Sequence, residues 1–363
     1  MTKEREIGVF LPIGNGGWIM SENTTLHPPQ LYDYNLEAAR IADRSGMDFI
    51  MSMAKWRGYP GSTDHWSQTL ESLTMMCGLA QATERAQVWA TVHTTVQHPA
   101  VVAKMFTTLD QISHGRSGIN IVVGGQKLEL EQLQSWGPQH LEHDDRYRYT
   151  AEWLDVLEGA WTGESFDYSG EFFQFDDLQL KPTPSRKPRL ICAGTSPVGL
   201  DFTTSRADGA FVSFTDFDSL AATSSRVHGM AEEKGRDIKV YIMLAVVLDE
   251  TDAKAEARIQ HIQDGIDEGA VQAIAAAYRK HTDRPDILAN ADQFAERRGF
   301  QNTVLSGSPE TLAERLSDLF DRTGIDGVML TFTDYKDELA HFGEAVLPRL
   351  KAGTGAFAMG GAA

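Results

Sequence analysis

The residues whose types could do chemistry fall into small groups rather than one motif. Asn120 sits in the apolar run Ile119-Asn120-Ile121-Val122-Val123. A side-chain amide there is either a satisfied member of a core network or a ligand contact, and the residues alone leave both open. Thr91, in Trp89-Ala90-Thr91-Val92, is a good strand former, so structural use is its simpler reading. In Ala193-Gly194-Thr195-Ser196-Pro197 a strand pattern passes into a helix pattern. Backbone N–H groups and the Ser196 hydroxyl converge there on a helix start, which attracts anions. By spacing alone, Ser196 followed by Pro197 reads more simply as a helix cap, although one hydroxyl can do both. Arg146, at the end of Glu142-His143-Asp144-Asp145-Arg146, is either a bidentate phosphate partner or surface charge, and spacing favours the latter. His93 and His143 stand alone and read as hydrogen-bonded structural histidines rather than metal ligands. The sequence carries no HExxH, carboxylate pair or nucleophile elbow. No hydrolytic or metal chemistry is expected, and a bound cofactor would have to carry the reaction.

These residues need a scaffold that brings distant segments to one place. Eight short apolar runs provide it: Ile7–Ile13, Met47–Met53, Ala86–Thr94, Ser117–Gly124, Arg189–Gly194, Gly209–Phe214, Lys239–Leu248 and Gly327–Phe332. They are nearly continuous rather than alternating, as in parallel strands covered on both faces. Helical patterns follow nearly all of them, at Leu31–Ser45, Glu71–Thr83, Pro99–Ser113, Tyr147–Trp161, Pro197–Arg206, Ser219–Lys234 and Lys336–Leu350. Eight βα units predict an α/β fold, the (β/α)8 TIM barrel, spanning residues 1–350 as one domain. A doubly wound sheet would place a Gly-rich phosphate loop after the first strand, and Gly14-Asn15-Gly16-Gly17 lacks that spacing. Two insertions are expected, after strands four and seven. Ser165–Pro184 reads as a hairpin over the barrel mouth. The connection after strand seven, about 75 residues, begins helically over Ala253–His281, passes Pro285, and ends in a capped helix over Ser308–Thr323. Residues 351–363, small and Gly-rich, are expected to be a disordered tail.

In such barrels the reactive residues lie at the C-terminal strand ends. The candidates there are Asn15 and Trp18; Lys55, Trp56 and Arg57; Thr91 and His93; Asn120; Gly194-Thr195-Ser196; Phe214 and Asp216; and Thr331 and Thr333.

Composition narrows the partners. Among 363 residues, 51 acidic side chains outnumber 33 basic ones for a formal charge of −18. That balance argues against nucleic acid and anionic membranes. No run is long enough to span a bilayer, and the charged start Met1-Thr2-Lys3-Glu4-Arg5 does not read as a signal peptide. The two cysteines, Cys77 and Cys192, each lie in an apolar stretch, so the expectation is two small hydrophobes in a reducing cytoplasm.

In order along the chain, Ile7-Gly8-Val9-Phe10-Leu11-Pro12-Ile13-Gly14-Asn15, Leu70-Glu71-Ser72, Ser113-His114-Gly115-Arg116, Gly327-Val328-Met329-Leu330-Thr331-Phe332 and His341-Phe342-Gly343-Glu344 form a specific set. With them the chain resembles the bacterial luciferase-like flavin monooxygenases, most closely their pyrimidine-oxygenase branch. Leu141-Glu142-His143-Asp144-Asp145-Arg146-Tyr147 is also similar to the dimethyl sulfone monooxygenases. The resemblance covers roughly Ile7 to Leu350. It implies a luciferase-like barrel that takes reduced FMN (FMNH2) from a separate NAD(P)H:flavin reductase. Through a flavin peroxide, at N5 or C4a, the enzyme would oxygenate a small substrate, a uracil-like pyrimidine or related amide heterocycle. A sulfone or sulfonate, a deazaflavin reaction and a flavin-binding barrel without turnover are the alternatives. It implies FMN contacts at Ala54, Lys55, Asn120, Glu129, Arg146, Tyr147, Gly194, Thr195 and Ser196. Thr91 and Asn120 would hold O2 beside the ring and donate to a developing peroxide. A homodimer or homotetramer is implied too, and the two insertions become candidate lids.

Four positions depart from the pyrimidine-oxygenase pattern. Gly125 stands where that branch has Trp, Val123 where it has Thr, His93 where it has Ala, and Trp56 where it has Leu. With Phe214, the residues Trp56, His93 and Gly125 are therefore expected to shape a substrate pocket of this chain's own.

Overall fold

In the computed structural model, Glu6–Phe10 (β1) pairs in parallel with Phe49–Met51 (β2) on one side and with Gly327–Phe332 (β11) on the other. The structure describes residues 5–124, 127–133, 141–194, 196–280 and 299–352. From β2 the parallel ladder continues through Gln87–His93 (β3), Ser117–Val122 (β4), Arg189–Cys192 (β7), Gly209–Phe211 (β8) and Lys239–Leu248 (β9), and β9 pairs back onto β11. Eight strands thus close a (β/α)8 barrel, in the order their apolar runs predict. The strands are shorter than the runs for local reasons. β1 stops at Phe10 because Pro12 has no N–H to continue a ladder.

The helices on the outer wall are α1 (Leu31–Ser45), α2 (Ser72–Gln81), α3 (Pro99–Ser113), α4 (Lys127–Leu133), α5 (His143–Ala160), α6 (Pro197–Arg206) and α7 (Phe217–Glu233). The short α4 is not visible in the periodicity, and α5 starts one turn before its apolar pattern. The last predicted helix is two, α11 (Asp337–Ala345) and α12 (Leu347–Ala352), broken at Val346. Pro348 would collide with the carbonyl of Glu344 in a continuous helix, which accounts for the break.

Side chains of alternate residues fill the barrel in layers. At the base, Tyr241 donates to Glu6 Oε2 (2.6 Å), as does Arg189 (2.8 Å). Above them Phe49 and Trp89 stack at 3.9 Å, with Tyr241 edge-on to both. A Cβ on Gly118 would lie 2.3 Å from the Trp89 ring, so the indole fits because that residue has no side chain. Counting up β3, Trp89 is followed on the same inward face by Thr91 and then His93, at the mouth.

Both insertions differ from expectation in a specific way. Phe166–Ser169 (β5) and Gln174–Leu178 (β6) do form the hairpin, but it does not cover the mouth. It connects the bottom of α5 to β7 and climbs the outside of the wall. Its tip is held by Glu152 of α5, whose carboxylate accepts from the N–H groups of Glu171 (2.8 Å) and Phe172 (2.9 Å). Phe173 and Phe175 rest edge-on against His98, the N-cap of α3. A lid role is therefore not available to it in this position.

The connection after β9 holds α8 (Asp252–Asp264) and α9 (Glu268–Lys280), and it returns through a strand that the sequence reading lacks, Val304–Gly307 (β10). β9 is ten residues long. Its first residues pair with β8, and Ala245–Leu248 then take β10 along the same edge. Ser308 caps the following α10 (Pro309–Thr323) by accepting from Thr311 N, as the Ser-Pro signal predicts. This insertion does roof the mouth. Isolated bridges join Ile19 to Phe300 and Ser21 to Ile266, and Asp267 accepts from the backbone and hydroxyl of Thr63 (2.7 and 2.6 Å). Pro285 and residues 353–363 lie outside the described residues. Among the described residues no helix is long and apolar enough to cross a membrane.

Candidate functional site

The deepest polar pair in the mouth is Thr91 on β3 and Asn120 on β4, which are opposite one another in the parallel register. The Thr91 hydroxyl donates its one proton to the carbonyl of Ser52, at the end of β2 (2.5 Å). Its oxygen can then only accept, and Asn120 Nδ2 donates to it at 3.0 Å. The amide orientation follows: Nδ2 spends one of its two protons on Thr91 and keeps the other, and Oδ1 is buried with no partner among the described residues. Contrary to expectation, Thr91 does not donate to a peroxide, because Ser52 takes its proton. The backbone N–H of Thr91 is held by Ser72 Oγ (2.9 Å), which in turn bonds Ser52 Oγ (2.6 Å). Ser72 belongs to one of the stretches that carry the resemblance, but nothing in the sequence marks either serine as a support of Thr91. A buried acceptor kept unpaired costs about 1–3 kcal/mol, which a purely structural amide would have no reason to carry.

A second cluster lies where β2 ends. Lys55 Nζ forms an ion pair with Glu129 of α4, donates to Tyr59 Oη (3.0 Å) and sits 5.5 Å from the centre of the Trp66 ring. The two charged side chains are 6% and 5% exposed, so each depends on the other. Burial pushes the Lys55 ammonium pKa down, and the charge of Glu129 opposes that shift. Ala54 lies beside them, half-buried. Trp56 donates its indole N–H to His93 Nδ1 at 2.8 Å, which brings together two of the departing positions. Burial, helped by the charge of Lys55, lowers the His93 pKa to about 4, so the ring is neutral.

The third cluster is the start of α6. Ser196 Oγ accepts from Gly199 N (3.0 Å), which is the cap the sequence predicts. Its own proton has no acceptor among the described residues and can go to a ligand. From α5, Tyr147 brings its hydroxyl against this turn. A Cβ on Gly199 would lie 2.5 Å from Tyr147 Oη, and one on Gly194 2.9 Å from it. Both glycines are therefore needed for the approach. Arg146 does not pair with the acidic run around it. Arg148 takes that role with Asp145 (2.9 Å), while Arg146 is half-buried with Nη1 3.3 Å from where a Cβ on Gly124 would stand. A helix start with a spare hydroxyl, a phenol and a guanidinium that has no ion pair among the described residues can hold a phosphate. Asn120 lies on β4, which pairs with β7, the strand that leads into α6. The donor set thus fits a phosphorylated, polar-ringed cofactor such as FMN.

Sharing Trp66 with the second cluster, a cavity of about 220 Å3 is lined by Trp18, Trp66, Phe214, Tyr278, Gln301 and Asn302, among others. Phe214 lines this cavity, but Trp56 and His93, with which it was expected to form one pocket, do not, and Tyr278, Gln301 and Asn302 come from the roof. His65 under that roof accepts from Gln301 Nε2 (2.6 Å), and burial lowers its pKa to about 3.

Other strand-end residues are structural. Asn15 donates to the carbonyls of Thr63 and Asp64 and accepts from Gln68 N, fastening the β2 loop. Asp216 is the exposed cap of α7. Thr331 donates to Leu244 O, and Thr333 to the buried carboxylate of Glu338. Arg57 is exposed. His143 bonds Asp144 on the surface. Cys192 is buried and Cys77 half-buried, neither in a disulfide. Gly125 and Thr195 lie outside the described residues. Among the described residues no cluster of metal-ligating side chains occurs.

The buried histidines make a stability prediction. An unfolded histidine takes a proton near pH 6.5, while folded His93 and His65 resist until about 4 and about 3. The unfolded state therefore binds more protons in that window, and stability falls as the pH falls through it. Each is expected to cost on the order of 3 kcal/mol by pH 4. Thermal melts of wild type and His65→Gln between pH 7.5 and 4 check this, and an equally steep acid loss in the variant would contradict it.

Residues 5–327 match the family model described as luciferase-like monooxygenase. The chain is 38% identical over 352 residues to pyrimidine monooxygenase RutA of Rhizobium rhizogenes, covering 95% of this chain and 96% of that one. It is 37% identical to the Escherichia coli O81 protein of that name, covering 95% and 91%. Among solved structures it superposes on riboflavin lyase RcaE, determined with modified FMN and riboflavin, at a TM-score of 0.87 and 20% identity over 99% of this chain and 94% of that one. DmoA from Hyphomicrobium sulfonivorans gives 0.83 at 20% identity, covering 96% and 88%.

Proposed function

The chain belongs to the luciferase-like monooxygenase family, and we propose that it is the oxygenating component of a two-component system. In this reading it takes reduced FMN from a separate NAD(P)H:flavin reductase and uses O2 to oxygenate a pyrimidine or a related amide heterocycle. The observation that carries the substrate class is the near-full-length identity to pyrimidine monooxygenases. The polar clusters of the mouth support the cofactor.

Ser196, Arg146 and Tyr147 would hold the phosphate at the start of α6, with the backbone of Gly194. Lys55, Ala54 and Glu129 line the ring side. Bound there, the reduced flavin supplies the two electrons that let one atom of O2 enter the substrate while the other leaves as water. Asn120 and Thr91 position the oxygen-reacting edge. Oδ1 of Asn120 accepts from an N–H presented to it, and Thr91 fixes the amide from behind. The roof formed by α9 and residues 299–303 keeps bulk water from the cavity, which such oxygen chemistry requires. The site of action is the cytoplasm, as a homodimer or homotetramer; light scattering checks the latter.

The test is to mix protein, reduced FMN, air and uracil, and to measure uracil loss above the free-flavin background. Turnover of dimethyl sulfone instead would move the substrate class, and tight FMN binding with loss of neither would leave a flavin-binding barrel. Gly199→Ala gives a narrower check. Its Cβ would displace the Tyr147 hydroxyl, so FMN affinity is expected to fall about tenfold, the loss of roughly one hydrogen bond. Unchanged affinity in fluorescence titration would remove Tyr147 from the cradle.

A further inference from the structure

The hydrogen bond between Trp56 and His93 fixes more than a side-chain position. An indole N–H can only donate, so His93 Nδ1 must present its lone pair to it. The ring is neutral, and its single proton is therefore on Nε2. Among the described residues Nε2 has no hydrogen-bond partner, and unlike Asn120 Oδ1 it is not sealed from solvent. The strand end that carries the ring is fixed, since His93 N donates to Gln97 Oε1 (3.0 Å) of the segment that follows β3. His93 faces inward, one step above Thr91 on the same face of β3, at the open end of the barrel.

From this arrangement we propose that His93 is a specificity residue, a preset neutral Nε2–H donor that binds an uncharged acceptor oxygen of the substrate, with Trp56 as its positioning residue. The inference rests on the monooxygenase reading only for the word substrate; the donor itself rests on the Trp56 bond. The ligand chemistry is a carbonyl or sulfonyl oxygen beside the reacting centre. A carboxylate or sulfonate gains less here, because the donor carries no charge. A neutral donor also leaves His93 unable to serve as a general acid near pH 7, so it orients rather than protonates.

The test reads the tautomer and the ligand separately. The full-length chain, labelled with 15N-histidine and loaded with FMN, is examined by two-bond 1H–15N NMR. His93, assigned by the signal lost in His93→Phe, is expected to show a protonated Nε2 and a bare Nδ1. Trp56→Phe keeps the bulk but removes the donor, and a mixture of tautomers is expected in it. A protonated Nδ1 in the wild type, or an unaltered tautomer in Trp56→Phe, would overturn the locking by Trp56. For the ligand, uracil and dimethyl sulfone are added in turn, and the one that binds is expected to shift the Nε2 proton. His93→Phe is expected to weaken its binding about tenfold, one neutral hydrogen bond, with FMN affinity unchanged. Turnover of either compound without a shift at Nε2, or with full affinity in His93→Phe, would overturn the donor role. A shift without turnover would support the donor and count against the monooxygenase reading alone.

Discussion

Replacing Ser196 and Arg146 together by alanine is expected to weaken FMN by about 100-fold while changing riboflavin affinity by no more than a few-fold. The two ligands differ only in the phosphate, so the comparison isolates the cradle at the start of α6. Hydrogen bonds to a charged group contribute about 1.5–3 kcal/mol each, and two of them reach that factor. Removing Arg146 strands no carboxylate, because Arg148 serves the neighbouring Asp145. Removing Ser196 does cost the cap on Gly199 N, typically about 1 kcal/mol of stability. Ser196→Gly, which costs a cap only a few tenths, separates folding from binding in the same titration. Equal weakening of FMN and riboflavin would refute the phosphate contact.

Asn120→Ala is expected to lower product formation by about 10²–10³-fold, with FMN affinity within a few-fold of wild type. Oxygen use should continue, since reduced flavin reacts with O2 unaided, so peroxide released per product should rise sharply. Measuring O2 uptake against product decides it, and unchanged coupling would take Asn120 out of the reacting site. The substitution should at the same time cost little stability. It removes one bond to Thr91 but also a buried acceptor that has no partner among the described residues. A large loss of activity beside a small loss of stability is what distinguishes a reacting residue from a core amide.

The open question at Asn120 shows what a sequence holds and what it does not. Its place at a strand end was legible, because apolar runs and their spacing are local signals. Whether its amide was satisfied depended on Thr91, Ser52 and Ser72, which come from other strands and helices. Ser196 was legible as a cap for the same local reason, and the capped start of α10 likewise. Arg146 read as surface charge because its neighbours are acidic. Only the helix geometry shows that Arg148 takes Asp145, His143 takes Asp144, and Arg146 faces Gly124. Trp56 and His93 could each be placed at the mouth, yet their bond joins β3 to the loop after β2 and has no trace in either segment. The hairpin was found and misplaced. Its own residues specify a turn, whereas its position is set by Glu152, on α5. β10 was missed because four residues inside a long connection carry too weak a pattern to separate from a loop.

The shared edge of β9 has a consequence for how this barrel can change. The returning strand Val304–Gly307 is riveted to the wall through main-chain bonds, which no exchange of side chains removes. Just before it, ahead of Thr303, lie Gln301 and Asn302, which face the cavity, and Tyr278 looks in from α9. The ceiling is thus an interchangeable panel on a fixed frame. Diversifying those three positions while keeping the four residues of the strand should yield libraries with altered selectivity and an intact chassis.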